Sequence, residues 1–156
     1  MKLTTREDVA APIEAVFAQL ADFGWFERAA MRRGAEVVRT DKLEQPGPGM
    51  AWHAEFEFRG RDRKADVTLT AYDPPEGMTL VMRAAGLEVE CVIDLVAMSR
   101  SRTRMNVTME ARPRTIPARL MIQSAKLART NIQKRYRRRI AEYAEELEER
   151  CQSRGF

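Results

Sequence analysis

The sequence predicts an α+β fold: a strand, two short helices, six further antiparallel strands and a long C-terminal helix. Three observations predict it. Apolar residues alternate with period two from Ala35 to Arg112. From Met121 onward they recur every three or four residues. No repeat, and no linker long enough to divide the chain, interrupts the 156 residues, so residues 1–156 form one domain.

The elements follow in order. Leu3 to Val9 alternates loosely and reads as the first strand. Pro12 sits where a helix can start, because its fixed φ and missing N–H cost nothing there. Ile13, Val16, Phe17 and Leu20 then form the apolar stripe of a short helix. Asp22 is placed to cap a second one, running through Phe26 and Met31 to a stop at Gly34.

The period-two region is punctuated by Gln45–Gly49, Arg59–Arg61, Asp73–Gly77, Ala85–Gly86 and Ser99–Ser101, which read as hairpin turns. Within Met50–Phe58, Trp52, Ala54, Phe56 and Phe58 share one face, while His53, Glu55 and Glu57 share the other. Val67, Leu69 and Ala71 oppose Asp66, Thr68 and Thr70. Met78, Leu80 and Met82 oppose Thr79 and Arg83. Leu87, Val89, Cys91, Ile93 and Leu95 oppose Glu88, Glu90 and Asp94. Met105, Val107 and Met109 oppose Arg104, Asn106, Thr108 and Glu110. One face is oily and one wet, as an antiparallel sheet covered on one side requires.

After Pro113, Thr115 or Ile116 caps a helix with Pro117 in its first turn, and no Pro or Gly follows before Gly155. Met121, Ala125, Ala128, Ile132, Tyr136, Ile140, Tyr143 and Leu147 form its stripe. An uninterrupted helix of about 30 residues would run about 45 Å, enough to cross the whole sheet.

Composition bounds the function. The chain is 44% hydrophobic and 32% charged, which fits a soluble globule. A domain of this size removes roughly 68 to 70% of its unfolded surface from water, so Cys91 and Cys151 are not needed as staples. The first residues are charged by Arg6 and lack a secretory apolar core, and no 18-residue apolar run follows. We therefore expect a cytoplasmic, not transmembrane, protein with reduced thiols. Residues 100 to 139 hold eleven Arg and two Lys against Glu110 alone, a local surplus of twelve positive charges.

Val9-Ala10-Ala11-Pro12-Ile13-Glu14-Ala15-Val16-Phe17 with Leu20, Asp22 and Phe23, the Tyr72-Asp73-Pro74-Pro75 turn and the terminal helix carry a likeness over nearly the entire chain. On these residues the chain resembles the START-like SRPBCC superfamily, in its polyketide cyclase/dehydrase and lipid-transport branch. The resemblance implies a helix-grip fold: a curved antiparallel sheet of about seven strands wrapped around the C-terminal helix, with an apolar cavity between. Members include carriers, receptors, aromatases, cyclases and ring-hydroxylase subunits, so the function has to come from the site.

If the oily face looks toward the helix, the cavity is lined by Trp52, Phe56, Phe58, Leu69, Leu80, Met82, Cys91, Ile93, Met105 and Met109. The three methionines suit irregular apolar shapes, and Ala125 and Ala128 leave space. Ile132 and Tyr136 continue the helical wall. Arg129 falls at the helical angle of Leu147, inside the apolar stripe, where it serves either as a snorkelling stem or as a handle beside the Tyr136 hydroxyl.

Other chemistries lack their residues. His53, the one histidine, should face solvent, and with two distant cysteines no zinc site is expected. His53-Ala54-Glu55 lacks the Pro-Cys-x-x-Cys of a deaminase. Gly47 and Gly49 do not make a nucleotide loop. Cys91 reads as buried and inert.

We therefore expect no cofactor, no metal and no catalytic residue. The expected function is binding or carriage of a hydrophobic small molecule: a lipid, a polyketide-like molecule or an isoprenoid. The alternative is a cyclase, dehydratase or aromatase using Arg129, Tyr136 or His53. A third reading is an interaction module: Arg119, Lys126, Lys134, Arg137 and Arg138 form a basic ridge for an anionic surface or acidic protein. Poor aromatic interleaving there argues against nucleic acid.

Overall fold

The computed structural model describes residues 1–153. Its elements are β1 (Lys2–Val9), α1 (Ile13–Leu20), α2 (Phe23–Arg32), β2 (Glu36–Arg39), β3 (Ala51–Phe58), β4 (Arg61–Asp73), β5 (Gly77–Ala84), β6 (Leu87–Ser99), β7 (Arg102–Pro113), α3 (Ile116–Leu127) and α4 (Arg129–Ser153). The strands form one seven-stranded sheet ordered β1-β7-β6-β5-β4-β3-β2, antiparallel throughout. All but one pair of sheet neighbours follow each other in sequence; β1 closes the order by pairing with β7. This is the helix-grip architecture that the periodicity and the resemblance predicted.

The local signals act as their chemistry requires. Asp22 caps α2 by accepting from Trp25 N at 3.1 Å, and Gly34 leaves the helix at φ 93°. Thr115 caps α3 by accepting from Ala118 N at 3.2 Å, with Pro117 in the first turn. Pro12 is the residue before α1 rather than its first helical one.

Parity sorts the sheet. Trp52, Leu69, Met78, Leu95, Met105 and Val107 join the buried core with Val9, Val16, Phe17 and Leu20 of the N-terminal elements, and with Tyr136, Ala144, Leu147 and Cys151 of α4. His53, Glu55 and Glu57 stand on the outer face.

Two features depart from the predicted pattern. In β4 the register shifts between Leu69 and Ala71, where Thr70 is an extra residue. The bulge reverses the alternation beyond it. Ala71 is therefore exposed, and Tyr72 turns inward to pack on Phe17 and Phe23 at 5.4 and 6.5 Å between ring centroids.

The second departure is in the terminal helix, which is two helices. It breaks at Ala128 (φ −106°, ψ 22°), whose N–H turns back to Ala125 O. No Pro or Gly causes this. Instead, α3 seats Ala118 and Ile122 while packing on β7, whereas α4 packs on β1 and α1. Packing on different partners overrides the local preference for a continuous helix. The stripe therefore splits. Met121, Ala128 and Arg129 are exposed, Ala125 and Ile132 are half-buried, and full burial resumes at Tyr136. Gly155, which bounds the predicted helix, lies outside the described residues.

Candidate functional site

Between the sheet and helices α2 and α4 lies a cavity of about 450 Å³. Leu20, Phe23, Phe26, Glu27 and Ala30 wall it on the α1–α2 side, and Ile140 and Tyr143 on the α4 side. The floor is the inner sheet face: Val37, Trp52, Ala54, Val67, Met78, Leu80, Cys91, Ile93, Met105, Val107 and Met109. Strand alternation places one apolar side chain per two residues on this floor, and the sheet register brings them together: Leu80 stands beside Cys91, Cys91 beside Met109, and Ile93 beside Val107.

Of the positions predicted from sequence to line a cavity, Trp52, Leu80, Cys91, Ile93, Met105 and Met109 do so. Leu69 shares their face but is sealed in the core. Phe56 and Phe58 keep their parity, yet they lie toward the β3–β4 hairpin, beyond the helical cover. Phe58 is 55% exposed and stacks under the Arg59 guanidinium at 5.3 Å. Met82, near the Ala85–Gly86 turn, is likewise exposed.

The helical candidates do not reach the cavity: Ala125 lies before the break, and Ile132 and Tyr136 lie on α4 ahead of its lining residues Ile140 and Tyr143. Ala125, Arg129, Ile132 and Tyr136 do not line it, and Arg129 is exposed, outside the apolar stripe. The Tyr136 hydroxyl is already engaged, donating to Val107 O at 2.6 Å. Burial pushes that phenol up to about 12, with the Cys91 thiol a further contributor, so it remains protonated. Arg119, Lys126, Lys134, Arg137 and Arg138 are all exposed.

The polar groups at the cavity were not among the sequence candidates. Glu27 Oε1 accepts from the Trp52 indole at 2.8 Å. The Tyr143 hydroxyl is buried with no hydrogen-bond partner. Burial raises its pKa, while the neighbouring Arg150 guanidinium pulls the other way. Arg150 can only donate, so the phenolic proton of Tyr143 has no acceptor from it.

Arg150 itself is held by the helical layer. It lies 4.3 Å from the Trp25 ring centroid, donates to Gln19 O at 3.4 Å, and faces Asp22 at 3.8 Å. Trp25 and Phe26 in turn pack on the Tyr143 ring at 6.3 and 5.8 Å. A sequence signal for the α2 wall exists: Phe23, Phe26, Glu27 and Ala30 stand at i, i+3, i+4 and i+7, one helical face.

Ionisable chemistry is sparse on this floor. Burial pushes the Cys91 thiol up to about 11. His53 pairs on the outer face with Asp66 at 2.7 Å and Glu55 at 3.5 Å and is not part of the cavity lining. Among the described residues, no group of three or more His, Cys, Asp or Glu side chains could hold a metal ion. Among the same residues, no helix is long and apolar enough to cross a membrane.

The geometry can be set beside known proteins. A family model described as polyketide cyclase / dehydrase and lipid transport matches residues 1–148. Solved structures share the fold. TTHA0849 from Thermus thermophilus superposes with a TM-score of 0.67 at 15% identity, covering 100% of each chain. The Zhui aromatase/cyclase from Streptomyces sp. R1128 does so at 0.60 and 16%, covering 86% of this chain and 88% of its own. A START superfamily protein from Mycobacterium smegmatis does so at 0.54 and 12%, covering 86% and 95%. No curated protein sequence matches the chain.

Proposed function

The chain belongs to the polyketide cyclase / dehydrase and lipid transport family, and from there we propose that it reversibly binds and carries a neutral hydrophobic small molecule in the cavity between sheet, α2 and α4. One observation carries the reading: a space of about 450 Å³ whose wall is aliphatic, aromatic, thioether and, at Cys91, thiol, except at Glu27 and Tyr143. Apolar cavities of this size are typical of small-molecule sites, with a few polar groups fixing orientation.

The lining narrows the ligand. A carboxylate in the α2 wall disfavours an anionic guest. The Tyr143 hydroxyl is itself buried and the rest of the lining is apolar, which favours a predominantly apolar guest. A lipid, polyketide-like or isoprenoid molecule of that kind satisfies both conditions.

Native mass spectrometry after incubation with cell extract tests the proposal, with N-phenyl-1-naphthylamine fluorescence as the quantitative probe. We expect a retained apolar mass and a saturable rise in dye emission. Ala54→Trp, which fills the floor between Trp52 and Val37, should abolish both. Persistently empty protein that does not bind the dye refutes the reading.

A second reading has one observation behind it: the Glu27 carboxyl lines the same cavity, as a general base of a cyclase, dehydratase or aromatase would. Incubation with a linear polyketone distinguishes the two. An enzyme releases water from it and loses that activity in Glu27→Gln; a carrier returns it unchanged.

A further inference from the structure

Helix α3 is apolar on the side that packs against the protein and apolar again on the side that does not. Its buried residues are Ala118 and Ile122. Opposite them, Ile116, Leu120 and Leu127 are 75%, 59% and 92% exposed. At about 100° per residue these three fall within about 40° of one another, on one line along the helix. Arg119 and Lys126 run along one side of that line, and Lys134, Arg137 and Arg138 follow on the exposed side of α4. The surrounding segment, residues 100 to 139, holds thirteen basic residues against one acidic residue; Arg104, Arg112 and Arg114 are paired with carboxylates of the sheet, which leaves the helical cations as most of the surplus.

We propose that the outer face of α3 docks on an anionic lipid bilayer, seating Ile116, Leu120 and Leu127 at the acyl boundary with Arg119 and Lys126 on the lipid phosphates. The combination of an aliphatic line and neighbouring cations is that of a helix lying in a membrane interface. A second copy of the chain is a poor occupant, because it would bring the same cations against these. The stripe of three side chains is also narrow for the ~800 Å² per partner of a stable protein interface. A membrane has no such minimum area, and its negative surface matches the surplus charge.

The test is flotation of the full chain with phosphatidylcholine vesicles, with and without about 30 mol% phosphatidylserine to supply a negative surface. We expect binding to the anionic vesicles alone, weakened at least tenfold by Leu120→Asp with Leu127→Asp and, separately, by Arg119→Glu with Lys126→Glu. Both pairs are exposed, and unchanged circular dichroism would show that each variant folds. Three results overturn the proposal: no binding of the native chain to either vesicle, native-strength binding by the leucine variant, or a dimer in sedimentation velocity that the leucine variant disperses. The cavity is untouched by these substitutions, so dye binding reports on the carrier reading separately.

Discussion

Replacing Tyr136 by Phe removes one oxygen from the seam between α4 and β7. That hydroxyl is buried and donates to Val107 O at 2.6 Å. Its removal leaves a buried carbonyl without that donor, a loss of about 1–3 kcal/mol. Taking about 2 kcal/mol, a chain of this length should lose about 4–8 °C of Tm. With a urea m-value of about 2 kcal/mol/M, the unfolding midpoint should fall by about 1 M with m unchanged. Trp25 and Trp52 fluorescence follows the transition. Because Tyr136 lies outside the cavity lining, N-phenyl-1-naphthylamine affinity at low urea should equal that of the native chain. An unmoved midpoint together with weakened dye binding would show that the hydroxyl serves a guest rather than the fold, and the reasoning would fail.

Two further outcomes follow from the ionisable groups. With its thiol pushed up to about 11, Cys91 in a Cys151→Ser background should react with a disulfide reagent at pH 8 at least about a hundredfold more slowly than free cysteine, and at the free rate in urea; a fast native reaction contradicts the burial argument. The hydrogen bond to Asp66, assisted by Glu55, raises the His53 pKa, so the pairing stabilises the fold below about pH 6.5 and that contribution disappears as pH rises through the folded value. In an NMR titration Asp66→Asn should lower the His53 pKa, and an unchanged titration curve would dismiss the pairing.

How much of this was legible in the chain depends on which force decides each residue. Parity along an unbroken ladder is fixed by pleat geometry, so Trp52 inside and His53 outside could be read directly. The same reading placed Ala71 on the oily face, because a single extra residue at Thr70 leaves no mark in the hydrophobic pattern. Helix continuity through Ala128 failed for a different reason: the break follows from where β7, β1 and α1 lie, and the local sequence does not encode it. The cavity's α2 wall was visible as the face Phe23, Phe26, Glu27 and Ala30, but helical periodicity cannot say what a face covers. Arg150 sits in an acidic stretch and was hidden there; its contacts with Trp25 and Gln19 span more than a hundred residues.

The two borders of the sheet remain. An open border offers unpaired amides and carbonyls on which another chain can add a strand, and so on toward insoluble fibre. On one border β2 is only four residues long, beginning with Glu36 and ending with Arg39, whose guanidinium is held by Asp41. On the other, β1 carries Lys2, Arg6 and Asp8, and the Gln133 side chain from α4 donates to Thr4 O at 3.1 Å. Shortness guards one side and charge with a clamping amide guards the other, so the protein should tolerate concentration without templating its own aggregation.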